Sequence, residues 1–308
     1  MRKLGIKLAS GFLIAVLLSV GGYTCYGNLF SKETHMMSYK DKLERLSELE
    51  EKKAVFVGGS ATHFGISAEK FEQSTGIQSV NMGLHASISM DTYLSTVIPF
   101  LKEGDLLFIT PEYDYYCTEW IKTDSQNTEF AVYYNDQLCK YAFSSTDAVP
   151  NLLYTGWNQW SNICKQIISL KLYGKTTEAY SRNGSNKWGD YTMNNHPSEI
   201  SSSYSTLKGI NDESMKKLQS YINEIKNNGI QVYVLFPPYL DSAYEVNKVT
   251  INEVYKSLEN ANVDLLFEPG ETKYDSSQFF DTVYHLNDNG RNRYTQLLIE
   301  KFNNKMEK

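Results

Sequence analysis

Cysteine, histidine and clustered positive charge are all scarce in this chain. Its four cysteines, at positions 25, 117, 139 and 164, form no CxxC pair and no metal-ligand spacing. That excludes a zinc-binding module and a disulfide framework, leaving at most one bridge among the three cysteines outside the N-terminal segment. The five histidines, His35, His63, His85, His196 and His285, join no constellation of Cys and carboxylates, so neither a metal nor a cofactor is expected. The formal net charge is -6, and no run of Lys and Arg follows Arg2, Lys3 and Lys7. A nucleic-acid partner is therefore excluded, because phosphate neutralisation needs clustered cations. No internal repeat is evident.

What the chain does have, directly after those three cations, is an uncharged stretch from Leu8 to Ser31 centred on Phe12-Leu13-Ile14-Ala15-Val16-Leu17-Leu18. It is long enough for the ~20 residues that cross a bilayer core. The basic amino-side flank places the N-terminus in the cytoplasm and everything after Lys32 outside. We read residues 1–31 as an uncleaved membrane anchor. A cleaved signal peptide, with Gly21 and Gly22 as the small residues, is the rival. Either way the bulk of the protein is exported, as a single-pass protein with an extracellular domain in the first reading.

Residues 32–53 form a polar stalk in which Leu43, Leu46 and Leu49 recur at helical spacing, predicting a helix from about Lys40 to Glu51 with a solvated charged face. From residue 54 the pattern alternates. A strand at Val55–Val57, a helix at Ser67–Thr75, a short strand at Gln78–Gly83, a helix at Met90–Leu101 and a buried strand at Asp105–Thr110 predict an α/β fold with a doubly wound parallel sheet. From about 112 to 210 the rhythm gives way to Tyr, Asn, Ser and Trp, read as a helical and loop insertion whose tryptophans either pack or line a carbohydrate cleft. It then returns with a helix at Asp212–Asn228 closed by Gly229, a strand at Gln231–Phe236, a helix at Ala243–Asn260, a strand at Val263–Phe267 and a last helix at Asn289–Asn304.

Two segments carry chemistry. The first strand ends on Gly58-Gly59-Ser60, a turn that presents one hydroxyl at the carboxyl edge of a parallel sheet, where open α/β sheets bind ligands. Near the other end, Asp281-Thr282-Val283-Tyr284-His285 offers a carboxylate to set the tautomer of His285, which could then deprotonate Ser60. Together they predict a serine-centred acyl transfer site.

This arrangement resembles the SGNH/GDSL hydrolase superfamily. Val57-Gly58-Gly59-Ser60 matches its nucleophile turn, Asn81-Met82-Gly83 its second block and Asp281 through His285 its acid and base. The anchor, the Phe236-Pro237-Pro238 segment and the Asp281–Asn287 ending are most similar to the exported branch linked to teichoic acid D-alanylation and exopolysaccharide O-acetylation. The resemblance implies a three-layer sheet over 54–308, catalysis by Ser60, Asp281 and His285, and oxyanion or substrate binding by Gly83 and Glu112. It also implies an acyl esterase or O-acyltransferase acting on a glycan or teichoic acid, with a membrane-bound O-acyltransferase as a partner. The chain departs from the family in three places. Gly59 stands where Asp is usual, Asp281 precedes His285 by four residues instead of three, and Glu112 follows the third strand where the family has Asn. A non-catalytic glycan-binding or assembly protein that retains the fold is the alternative.

Overall fold

The computed structural model describes residues 2–120, 124–134, 138–143, 145–175, 180–193, 200 and 206–307. His196, with the rest of 194–199 and residues 201–203 of the expected irregular segment at 180–203, lies outside these residues. Helix α1 (Arg2–Leu29) leads through two single 3-10 turns into α2 (Ser38–Glu48). Then come β1 (Lys53–Gly58), α3 (Ser60–Gly65), α4 (Ala68–Thr75), β2 (Gln78–Asn81), α5 (Met90–Val97) and β3 (Leu106–Thr110). The middle of the chain forms α6 (Tyr113–Cys117), α7 (Ser125–Tyr133), α8 (Leu138–Ala142) and α9 (Ala148–Tyr173). The remainder is α10 (Asp212–Asn227), β4 (Gln231–Val234), β5 (Tyr239–Leu240), α11 (Asp241–Asn260), β6 (Lys273–Tyr274) and α12 (Asp288–Met306).

Two compact units result, one of Met1–Lys40 with Ile121–Asn183, the other of Asp41–Trp120 with Gly184–Lys308. The larger unit is built on a parallel sheet in the order β2-β1-β3-β4. The mixed α/β architecture and the parallel pairing are thus as the alternating pattern predicts. The expected strand at Val263–Phe267 is reduced to one parallel bridge between Leu265 and Val234. Asn262 turns at φ 54 just before it and a capped turn begins at Pro269 just after, which leaves little extended chain between. Register aligns Phe56, Phe108 and Tyr233 across three strands, and their rings stack with centroids 4.9 and 5.4 Å apart. Phe71 of α4 and Phe302 of α12 close edge-on against Phe108, so one face of the sheet is sealed by aromatic packing.

Side-chain caps set the starts of several helices. Ser67, Asn211 and Asn287 accept backbone N–H groups at the beginnings of α4, α10 and α12, and Gly76 in the left-handed region ends α4. Asp190 reinforces α4, accepting from the Ala68 and Glu69 N–H groups and from the Ser67 hydroxyl. The Trp188 carbonyl accepts from Asn81 N at 2.8 Å, so segment 184–193 lies along the β2 edge.

In the smaller unit α9 runs against the C-terminal half of α1. Added at Gly22, a Cβ would sit 2.0 Å from the Gly156 carbonyl oxygen, so only glycine permits this approach. Ser19 Oγ donates to the Leu153 carbonyl at 2.7 Å and Tyr23 Oη to that of Leu152 at 2.8 Å. Helix α1 is long and apolar enough to cross a membrane, a property that a signal sequence shares. The four cysteine thiols are unpaired.

Candidate active site

β1 and β3 are neighbours, and their register pairs Gly58 with Thr110. Ser60 and Glu112 each lie two residues further on, so the two parallel strands deliver both side chains to the same place. This is the carboxyl edge where the strand order switches direction from β1 to β3. The Ser60 hydroxyl donates to Glu112 Oε1 at 2.9 Å, and the Ala61 N–H donates to the same oxygen at 2.6 Å. Glycine at 59 makes room for this carboxyl group, since a Cβ there would stand 2.9 Å from Glu112 Oε1 and 3.0 Å from Ala86 Cα. Glu112 is 2% exposed. Burial raises its pKa above the usual carboxylate value, against the smaller opposing effects of the Ala61 and Ser60 hydrogen bonds and of His285.

His285 is held on a tight loop. Phe280 N donates to the His285 carbonyl at 2.7 Å, and the Thr282 hydroxyl oxygen accepts from the His285 N–H at 3.2 Å. The fold-back brings Asp281 Oδ1 to 2.7 Å from His285 Nδ1, so a four-residue spacing is sufficient for the pair. With Nδ1–H donating to the carboxylate, Nε2 is the ring nitrogen that carries the lone pair. Phe64 stacks on the imidazole with centroids 4.2 Å apart and planes 21° apart. Phe64 is four residues after Ser60 on α3, hence one turn along the same face, and this contact ties the histidine loop to the serine helix.

The Gly83 N–H donates to Asn81 Oδ1 at 2.9 Å, and its carbonyl accepts from Lys42 Nζ. A Cβ at Gly83 would lie 2.5 Å from His63 N and 2.6 Å from Thr62 Cβ, so the glycine lets the chain press against α3. Asn81 Nδ2 donates to the Thr62 and Ile66 carbonyls, each at 3.0 Å, and so holds the end of that helix.

Lys42 corrects the expectation of a wholly solvated charged face on the stalk. It is 2% exposed and lies 2.9 Å from His63 Nδ1. Burial lowers its pKa to about 7, with Asp190 and Asp41 pulling weakly the other way. The signal was present in the spacing, because Lys42, Leu46 and Leu49 fall on one helical stripe. His63 is buried beside Phe64 and Tyr191, while His85 Nδ1 pairs with Ser87 Oγ at 2.7 Å. Tyr284 was also missed; its hydroxyl reaches Asp114 Oδ2 at 3.3 Å and accepts from Tyr113 N at 3.2 Å, linking the histidine loop to the Glu112 segment.

The tryptophans divide. Trp120 is buried and donates to the Tyr115 carbonyl, Trp188 meets Arg45 and Lys187, and Trp157 and Trp160 are exposed on α9. A cavity of about 490 Å³ between the end of α11, segment 263–268 and α12 contains none of the candidate site residues. Among the described residues no group of His, Cys, Asp and Glu is placed to hold a metal ion. Compared with protein-family models and with curated proteins, the chain matches none.

Proposed function

We propose that this chain is an exported, membrane-anchored serine esterase or O-acyltransferase of SGNH type, acting on acylated glycan or teichoic acid of the cell envelope. The observation that carries the reading is the convergence on α3 of two polar pairs distant in sequence, Ser60 with Glu112 and His285 with Asp281. In the proposed reaction His285 Nε2 takes the Ser60 proton as Oγ attacks the acyl carbonyl carbon. The imidazolium, oriented by Asp281, then gives that proton to the departing oxygen or sulfur, leaving an acyl ester on Ser60. Water or an acceptor hydroxyl loses its proton to His285 and attacks the ester in turn, and the same proton returns to Ser60.

Burial favours the neutral carboxyl form of Glu112. In that form its Oε1 accepts from Ser60 and Ala61 while the O–H on its other oxygen can donate to the developing oxyanion, a use open to carboxyl groups in apolar surroundings. A membrane-bound O-acyltransferase that delivers the acyl group is the partner this reading calls for.

One observation favours a non-catalytic envelope protein instead. The Ser60 hydroxyl is engaged by Glu112, and that bond must be remade before a base can take the proton. Labelling of the full chain with a fluorophosphonate probe separates the two. Covalent modification of the wild type that is lost in Ser60→Ala and strongly slowed in His285→Ala is expected. Equal signal from the wild type and Ser60→Ala would overturn the catalytic reading.

A further inference from the structure

Helix α9 leaves a broad apolar face without a protein partner among the described residues. Tyr154, Trp157, Cys164, Ile168 and Leu172 step along it at intervals that keep them on one side, and all are exposed, Trp157 and Ile168 at 56% each. Ile167, 51% exposed, widens the stripe on one flank. A contiguous apolar face of this size is costly to leave in water.

Its neighbour indicates what covers it. Trp160, beside this stripe, donates from its indole N–H to the Leu18 carbonyl at 3.0 Å. The α9 face is therefore continuous with α1, whose Phe12, Leu13, Ile14 and Leu17 are likewise more than half exposed. The contacts run in opposite directions along the two helices, Leu152 with Tyr23, Gly156 with Gly22 and Trp160 with Leu18, so α9 proceeds from the C-terminal end of α1 toward its apolar centre. Residues 148–173 contain no Asp or Glu, and their only charges are Lys165 and Lys171. Tyr and Trp at the boundary, aliphatic residues beyond them and lysines whose stems can extend toward the surface are what a helix seated at a lipid headgroup layer needs.

We infer that α9 is a second membrane-contacting helix, seated with its Trp157–Ile168 face in the same bilayer leaflet as the C-terminal half of α1. The lipid-facing surface would then be a two-helix platform in place of a single tether. This rests on the proposed reading of α1 as a retained anchor, and is independent of the chemistry at Ser60.

The test uses the full chain in nanodiscs of mixed neutral and anionic phospholipid. With Cys25, Cys117 and Cys139 replaced by Ser, a polarity-sensitive fluorophore is attached to Cys164. Two comparison chains with Cys164→Ser carry it at Phe12→Cys on α1 or at Gln296→Cys on the exposed side of α12. The Cys164 label is expected to be quenched severalfold more by doxyl lipid than the Gln296 position, and severalfold less by iodide. If the Phe12 position is lipid-quenched and Cys164 behaves like Gln296, α9 does not contact lipid and the proposal fails alone. If neither is lipid-quenched, the anchor reading fails with it. Protection of Cys164 from iodide in native membranes but not in nanodiscs would assign the face to a protein partner and overturn the lipid assignment.

Discussion

The two halves of the candidate site are built in opposite ways. The serine half is made of strand ends and glycines packed against backbone. Ser60, Glu112, Lys42 and His63 are all buried, and Gly58, Gly59 and Gly83 have no room for a Cβ. The histidine half is a short loop on which Asp281 retains a quarter of its side-chain exposure. In the first, folding and chemistry use the same atoms; in the second they are separable. Substitutions should therefore cost stability in one half and reactivity alone in the other.

The largest effect on stability is expected for Gly58→Ala. The new Cβ would lie 2.0 Å from Thr62 Oγ1 and 2.4 Å from the Thr110 carbonyl oxygen, and the carbonyl belongs to a central strand that cannot retreat. A loss of about 3 kcal/mol or more, at the upper end of overpacking penalties, should appear as a lower midpoint in urea unfolding. A midpoint like that of the wild type would show that the serine half is looser than its packing implies.

Next come the two buried ionisable groups, whose pH effects have opposite signs. Glu112 has a folded pKa raised above its usual 4.5, chiefly by burial. Its contribution to stability is complete below 4.5 and is lost as pH rises through the higher folded value. Lys42 has its pKa lowered from 10.5 to about 7. Between about 7 and 10.5 the unfolded chain binds the proton that the folded chain has released, so this group makes stability rise with pH across that window. Glu112→Gln should flatten the fall and Lys42→Met the rise, each measured as unfolding free energy against pH. Unchanged slopes in either variant would remove that group from the account.

Asp281→Asn should have the smallest effect on folding, below about 1 kcal/mol for a partly exposed ion pair. Fluorophosphonate labelling should nevertheless slow by about a hundredfold or more, because the amide no longer fixes the His285 tautomer or stabilises the imidazolium. A large loss of stability in this variant, or labelling at the wild-type rate, would erase the contrast between the halves.

Much of the larger unit is legible along the chain. Strands β1, β3 and β4 are largely apolar runs, as buried parallel strands are, and α4 and α10 between them carry side-chain caps and apolar stripes. The strand expected at Val263–Phe267 misled because a short apolar run says nothing about whether a partner edge is available along its length. The resemblance places Gly83 among the oxyanion or substrate-binding residues, but the hold of Asn81, two residues before it, on the Gly83 N–H is a side-chain contact that leaves no mark in the spacing. Lys42 was missed because a charge on an amphipathic helix is usually solvated, whereas its position in line with Leu46 turns it inward.

By itself the sequence determined the local features: an uncharged span after three cations, a strand that stops at Gly58-Gly59-Ser60, and an acid four residues before His285. Each depends on near neighbours, through hydropathy, backbone freedom or the reach of a short loop. Only the tertiary structure decided that Ser60 meets Glu112, that Phe64 lies on His285, and that Trp160 reaches back to Leu18. These contacts are set by inter-strand register and helix packing, which join residues far apart in the chain and leave no periodic trace in it.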